Sequence, residues 1–128
     1  MKKINVKIYW DGVYGAVCEE IDGCIATNAT LIGVKEGYTS ALELHFDGMR
    51  EDGEEVPFKY TLEFELTTRA ILRSVHEKTT LKALQEATGI NARQLSHYST
   101  GKKNPRPEQR RRIIEGLHKI GKELVSVI

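Results

Sequence analysis

Apolar and polar residues alternate in the first part of the chain, as they do in half-buried β-strands. The stretch from Ile4 to Trp10 has this period of two, and Asp11-Gly12 after it is a pair typical of hairpin turns. Two shorter strands are predicted over residues 13–18 and 24–27, on either side of a loop. A further strand is predicted where these residues alternate with polar ones: Phe58, Tyr60, Leu62, Phe64 and Leu66.

Between the third and fourth predicted strands, apolar residues recur every three or four positions, as on one face of a helix. Thr30 is the predicted N-cap of this helix. The predicted buried stripe comprises Leu31, Val34, Tyr38, Ala41, Leu42, Phe46 and Met49. Gly33 and Gly37 lie within the helix, where glycine indicates close packing against a neighbouring surface, here the sheet. The first module is therefore predicted to be β-β-β-α-β.

After Thr67 the pattern becomes helical. A short helix is predicted around Leu72, and Thr80 and Asn91 are predicted to cap two more helices. Gly89 separates those two helices. A last helix starts after Pro105 and Pro107, and its predicted buried residues are Ile113, Ile114, Leu117 and Ile120. The predicted fold class is α+β, with the β-β-β-α-β module over residues 1–67 followed by an all-α helix-turn-helix domain over residues 68–128.

The residues at the end of the chain are apolar and partly β-branched, from Leu124 to Ile128. We expect this tail to add a strand or an apolar seam between the two protomers of a homodimer. The alternative is that the tail packs on its own domain. Small domains of roughly 60 residues are only marginally stable alone, which also favours a homodimer or a higher oligomer.

Charge is divided unequally between the two predicted domains. Residues 1–67 contain 6 Lys and Arg against 13 Asp and Glu, a net charge of −7, whereas residues 68–128 contain 13 against 5, a net charge of +8. The basic part suggests a polyanionic partner, and the acidic part suggests a basic one. No apolar run approaches the roughly 18 residues of a membrane span, so we expect a cytoplasmic protein that does not bind membranes.

Neither the cysteines nor the carboxylates indicate a catalytic or metal site. Cys18 and Cys24 lack the spacing of a zinc motif and are expected to be reduced and packed. A metal-dependent nuclease would need several carboxylates converging on two ions about 4 Å apart. The candidates instead fall in predicted turns or on the solvated helix face: Asp11, Glu19, Glu20, Asp22, Glu36, Glu43 and Asp47. We therefore predict no enzyme activity, no catalytic residue, no metal and no cofactor.

The helices on either side of Gly89 follow the helix-turn-helix plan, in which the second helix lies in the DNA major groove. Leu95 and Tyr98 are predicted to face inward. The residues predicted to face base edges are Arg93, Gln94 and His97, and Asn91 and Ser96 complete the recognition helix. The alternatives for His97 are a phosphate contact and a solvated surface histidine. Those predicted to neutralise phosphates are Lys102, Lys103 and Arg106, with Arg110 as a further candidate. The predicted nucleic-acid partner is double-stranded operator DNA.

The second domain resembles the helix-turn-helix of Cro and phage-repressor-like regulators over roughly residues 68–120. The resemblance rests on Thr80 to Leu84, Gly89-Ile90-Asn91, Leu95, Tyr98, and Gly101 to Pro105. Three residues depart from the pattern. Gln85 stands where a small residue is usual, Thr88 where Leu is common, and Leu81 where a phosphate-contacting Gln is common.

The first domain is similar to the N-terminal domain of HicB antitoxins. This similarity rests on Ile21 to Cys24, on Thr30-Leu31 opening a helix, and on the acidic stretch from Glu51 to Pro57. It implies a truncated ribonuclease-H-like domain that neutralises HicA, a small basic RNA-cleaving toxin, joined to a domain that represses its own operon. The alternative function is a helix-turn-helix regulator whose first domain senses a small molecule, although the sequence has no pocket signature.

Overall fold

The computed structural model describes residues 1–76 and 78–128, and its elements confirm the α+β fold class. They are β1 (Lys2–Trp10), β2 (Tyr14–Val17), β3 (Ile25–Asn28), α1 (Leu31–Glu51), β4 (Tyr60–Leu66), α2 (Thr68–Val75), α3 (Leu81–Thr88), α4 (Ala92–Thr100) and α5 (Pro107–Ser126). The chain divides into two compact units, Met1–Ala70 and Ile71–Ile128. Among the described residues, no helix is both long and apolar enough to cross a bilayer.

The first unit contains a four-stranded mixed sheet in the order β3-β2-β1-β4. The three N-terminal strands form an antiparallel meander, whereas β4 lies parallel to β1 in a register that pairs Ile4 with Leu62 and Val6 with Phe64. Parallel neighbours need a long connection, and here it contains β2, β3 and α1. The inward residues Ile4, Val6 and Ile8 are almost completely buried in one core with the apolar stripe of α1.

Helix α1 begins as its sequence predicts. The Thr30 hydroxyl accepts a hydrogen bond of 3.0 Å from the Gly33 backbone N–H, and the Asn28 carboxamide oxygen accepts one of 2.9 Å from the Thr30 N–H. A Cβ on Gly33 would collide with the carboxamide of Asn28, the last residue of β3, so this glycine makes room for the side chains that cap the helix. Gly37 faces β3, but a Cβ there would lie 3.8 Å from Ala26, an ordinary van der Waals distance, so the packing does not require glycine at this position.

The fourth strand starts later than its alternation predicts. Phe58 lies in a bend before β4 and is 90% exposed, whereas Tyr60, Leu62, Phe64 and Leu66 are half-buried against the core. Placing Phe58 in the strand was therefore wrong. Pairing with β1 begins only at Tyr60, opposite Lys2, so at Phe58 no neighbouring strand supports the alternating pattern.

In the second unit, a small core forms among the helices. Its most buried residues are Leu72, Leu84, Ile90, Leu95, Tyr98 and Ile113. Helices α3 and α5 approach closely at Gly116: a Cβ there would lie 2.5 Å from Thr88 Cγ2 and 3.3 Å from the Ala87 carbonyl carbon. Thr88 is itself buried and donates a hydrogen bond of 2.6 Å to the Leu84 carbonyl oxygen. The approach of the two helices therefore depends on the missing side chain of Gly116.

The C-terminal tail does not form the strand that its β-branched residues suggested. Helix α5 continues to Ser126, and Leu124, Val125 and Val127 are 65%, 74% and 82% exposed. The alternative that the tail packs on its own domain is also not observed. A helix that has already formed gains one hydrogen bond for each residue added, whereas a strand needs a neighbouring strand, and the tail pairs with none of the four strands. An apolar seam between two protomers stays a prediction.

Candidate functional site

The turn between α3 and α4 is fixed by caps on both sides. The Thr80 hydroxyl accepts a hydrogen bond of 3.1 Å from the Ala83 N–H at the start of α3, and Asn91 Oδ1 accepts one of 2.8 Å from the Gln94 N–H at the start of α4. Gly89 ends α3 with φ +75°, a conformation that favours glycine. These three predicted cap positions are confirmed, and together they set the direction in which α4 leaves the turn.

Gln85 ties α3 to the start of α4. Its side-chain oxygen accepts a hydrogen bond of 2.7 Å from the Ala92 N–H, one of the amides at the start of α4 that no carbonyl of the same helix can reach. This residue was noted in the sequence only as a departure from a pattern of small residues. Its amide instead shares the capping of α4 with Asn91, which keeps the first turn of that helix in place.

Helix α4 has one buried and one accessible face. Leu95 and Tyr98 are buried, as predicted, while Arg93 is exposed. Ser96 and His97 are half-buried and follow Arg93 by three and four positions, so the three side chains share one face. Of the three residues predicted to face outward, Arg93 is therefore exposed, whereas Gln94 and His97 are half-buried.

Two of the predicted contact residues are already engaged in hydrogen bonds. Gln94 Nε2 donates a hydrogen bond of 2.9 Å to the Tyr98 hydroxyl, and Gln94 is half-buried. Asn91 uses its side-chain oxygen as the cap of α4. Asn91 therefore positions the helix, and Gln94 would have to leave Tyr98 to present its full amide to a ligand.

His97 lies within a group of cations. Partial burial lowers the pKa of His97, and the positive charges of Lys102, Lys103 and Arg93 lower it further. The backbone places Lys103 beside this group, because its N–H donates a hydrogen bond of 3.2 Å to the His97 carbonyl oxygen. Imidazole Nδ1 of His97 is buried and has no hydrogen-bond partner in the described part of the chain. Four predicted site residues thus form one group, which we call the His97 cluster.

A second group of predicted residues surrounds a cavity of about 270 Å³ beside α4. Its lining comprises Gln94, Tyr98, Lys103, Asn104, Arg106 and Gln109. The loop after α4 carries several of these residues, and Gly101 opens that loop with φ +80°. The loop therefore brings Lys103 and Arg106 beside Gln94, and Lys103 belongs to both groups.

The arginines at the start of α5 are not equivalent. Arg111 forms two ion pairs of 2.6 Å, with Glu108 and Glu115. The Arg112 guanidinium lies over the turn, since a Cβ on Gly89 would lie 2.6 Å from its Nη2 atom. Arg111 is therefore neutralised by its own helix, and Arg112 covers the Gly89 turn.

The first unit contains a cavity that its sequence did not indicate. It has a volume of about 410 Å³, and its lining comprises Lys2, Ile4, Glu20, Ile21, Asp22, His45, Phe46, Met49, Glu54, Glu55 and Pro57. The lining residues come from four separate stretches of the chain, which explains why no local motif marks it. We call it the acidic-rim pocket because four of these residues are carboxylates.

The cysteines and carboxylates are the potential metal ligands of the first unit. Cys18 and Cys24 are buried and free. Burial raises the pKa of the Cys24 thiol, and the neighbouring Tyr38 hydroxyl lowers it in part. Within residues 1–76 and 78–128, no group of three or more His, Cys, Asp or Glu side chains is arranged so that it could hold a metal ion.

Comparison of the chain with known protein families, with curated proteins and with solved structures yields no match.

Proposed function

We propose that this protein is a DNA-binding antitoxin, in which the second unit is a helix-turn-helix domain that represses its own operon. The observation that carries the DNA-binding part is the accessible face of α4, where Arg93, Ser96 and His97 lie together beside Lys102 and Lys103. In a helix-turn-helix the second helix enters the major groove, and cations around it contact the phosphates.

The positions of the cations support two different roles on this surface, one in contacting bases and one in contacting phosphates. Arg93 is exposed on the first turn of α4, the part of a recognition helix that contacts base edges, and its guanidinium matches the two acceptors of guanine. Lys102, Lys103 and Arg106 are exposed in the loop that follows. Those three cations contact phosphates and give affinity without sequence preference.

His97 makes the affinity for DNA depend on pH. In the free protein its pKa lies below the ordinary value, and phosphates placed near the His97 cluster would raise it. Binding then takes up a proton, so affinity increases as the pH falls through the raised pKa of His97 in the complex towards its lowered pKa in the free protein, by at most roughly tenfold per pH unit. We expect His97→Gln to flatten this dependence in fluorescence-anisotropy titrations at constant salt.

The matched control for this measurement is His118→Gln, because His118 is an exposed histidine on α5. It should retain the pH dependence of the unmodified protein. A His97→Gln variant with an unchanged slope would show that His97 does not take up the proton.

The first unit provides the antitoxin part of the proposal. Residues 1–67 have a net charge of −7, which attracts a basic partner and keeps this part of the chain away from DNA. The resemblance of the first domain to HicB antitoxins implies that this partner is a small basic RNA-cleaving toxin of the HicA type. We further propose a cytoplasmic homodimer, because two recognition helices are needed to read two half-sites.

Growth rescue tests the antitoxin part. The toxin should come from the short reading frame beside this gene in its own genome, placed under a separate inducible promoter. We expect co-expression of the full chain to restore growth and to yield a complex that survives size-exclusion chromatography. The second unit alone, residues 71–128, is the comparison and should not rescue. Toxicity that the full chain leaves unchanged would contradict the antitoxin role.

The acidic-rim pocket favours a second candidate function, a regulator that responds to a small molecule. A cavity of about 410 Å³ lies within the range of volumes that small ligands occupy. Its rim of carboxylates would select a cationic ligand. The two functions predict different occupants for this cavity, a side chain of a basic protein in an antitoxin and a free cationic molecule in a regulator.

A further inference from the structure

We infer that the acidic-rim pocket holds an arginine side chain of the basic partner protein. This inference rests on the proposed function, because it names the surface of the first unit that engages the toxin. In this pocket, an apolar floor and four carboxylates lie together. A guanidinium group on a three-carbon stem suits that combination.

The floor of the pocket is apolar. Ile4 and Phe46 are buried at its base, and Met49, Ile21 and Pro57 are half-buried around them. Arginine buries its methylene stem against such surfaces while its charged end remains near water. The floor therefore favours a long side chain over a compact, fully hydrated cation.

The rim of the pocket is acidic. Glu20 and Asp22 come from the loop between β2 and β3, and Glu54 and Glu55 from the segment between α1 and β4; all four are exposed. None of them forms a salt bridge with another residue that the structure describes. Lys2 is the only lysine or arginine in the lining. The planar guanidinium of arginine forms two parallel hydrogen bonds to the two oxygens of a carboxylate, a bidentate geometry that the ammonium group of lysine does not match.

A neighbouring aromatic side chain favours a protein partner over a free cationic molecule. Phe58 follows Pro57 of the pocket wall and is 90% exposed. Exposed aromatic residues next to a pocket are frequent anchors of protein interfaces, where they contribute large apolar contacts. Charge around the pocket also complements a basic protein, since the rim has four carboxylates against one lysine.

The experiment is a nuclear magnetic resonance titration of the ¹⁵N-labelled full chain with N-acetyl-arginine amide. N-acetyl-citrulline amide, which has the same shape without the charge, is the matched probe. We expect the arginine probe to shift the amide signals of Ile21, Asp22, Met49 and Glu54, and the citrulline probe to leave them in place. Equal shifts with both probes, or shifts spread over all carboxylates, would overturn the inference.

Variants then test the rim. Glu54→Gln combined with Glu55→Gln should weaken binding of the arginine probe roughly 3- to 10-fold, as expected for two exposed ion pairs. Glu36→Gln is the control, because Glu36 is exposed on α1 and lies outside the pocket lining. An equal loss with Glu36→Gln would mean that the probe responds to overall charge. That result would overturn the assignment of the pocket as the arginine site.

The partner complex separates this inference from the proposed function. One outcome is that the toxin complex forms and that neither the rim variants nor Phe58→Ser change its dissociation constant. The pocket is then not the toxin contact, so the inference is wrong while the proposed function stands. If no toxin complex forms, the proposed function fails. In that case, arginine binding at the pocket would favour a regulator of cationic ligands and overturn the assignment to a toxin side chain.

Discussion

Gly116→Ala is expected to lower the free energy of unfolding of the second unit by about 1–3 kcal/mol, the usual cost of overpacking a tightly packed contact. The new Cβ would lie 2.5 Å from Thr88 Cγ2 and 3.3 Å from the Ala87 carbonyl carbon. Thr88 is buried and its hydroxyl is held by Leu84, and a backbone atom cannot rotate away. Helices α3 and α5 therefore have to separate, which also disturbs the position of α4.

The control is Gly121→Ala in the same helix. A Cβ at Gly121 would have no atom within 4 Å, so the change supplies only the better helix propensity of alanine, and we expect the free energy of unfolding to rise by about 0.5–1 kcal/mol. Urea unfolding followed by circular dichroism at 222 nm measures both variants. If the Gly116→Ala protein were as stable as the Gly121→Ala protein, helices α3 and α5 would not approach each other as closely as described.

Arg93→Ala is the variant with the largest expected effect on DNA binding. Under the proposed function, loss of a guanidinium that bonds two atoms of one base costs about 1–3 kcal/mol, or roughly 5- to 150-fold in affinity for the preferred sequence. Arg93 is exposed and lies on a different face of α4 from the buried Leu95 and Tyr98. Its replacement by alanine should therefore leave folding unaffected. Affinity for unrelated duplexes should change much less, which makes the ratio of the two affinities the quantity to measure.

Lys102→Ala is the matched control for a phosphate contact. Lys102 is exposed in the loop after α4, and its removal should weaken binding to all duplexes alike and reduce the salt dependence of log K by about 1. Anisotropy titrations at several salt concentrations distinguish the two variants. If Arg93→Ala behaved like Lys102→Ala, Arg93 would be a phosphate contact and the orientation assigned to α4 would be wrong.

The features that the sequence predicted well depend on neighbours within a few residues. The caps at Thr30, Thr80 and Asn91 each bond an amide three positions later, so a short stretch of sequence contains both partners. The buried stripe of α1 and the inward positions of Leu95 and Tyr98 follow from helical periodicity alone. For the same reason, the outward position of Arg93 on α4 could be assigned from the sequence.

The features that the sequence did not indicate depend on residues far apart in the chain. Gly116 is required by Thr88, 28 positions earlier, and the acidic-rim pocket joins residues from both ends of the first unit. Gln85 looked like a mismatch because its partner, the Ala92 amide, lies across the turn. Phe58 and the C-terminal tail have β-strand character but no strand beside them in the described chain.

The central claim, that α4 reads DNA sequence, is tested most directly by selecting duplexes from a random pool with the full chain at physiological salt. We predict enrichment of an inverted repeat whose half-sites lie about one helical turn, roughly 10 base pairs, or a multiple of that apart. The Arg93→Ala protein should lose preference at one base step of each half-site. The contradicting result is a pool in which no motif is enriched after repeated rounds and in which added salt weakens binding to every duplex equally. The protein would then bind DNA without reading its sequence.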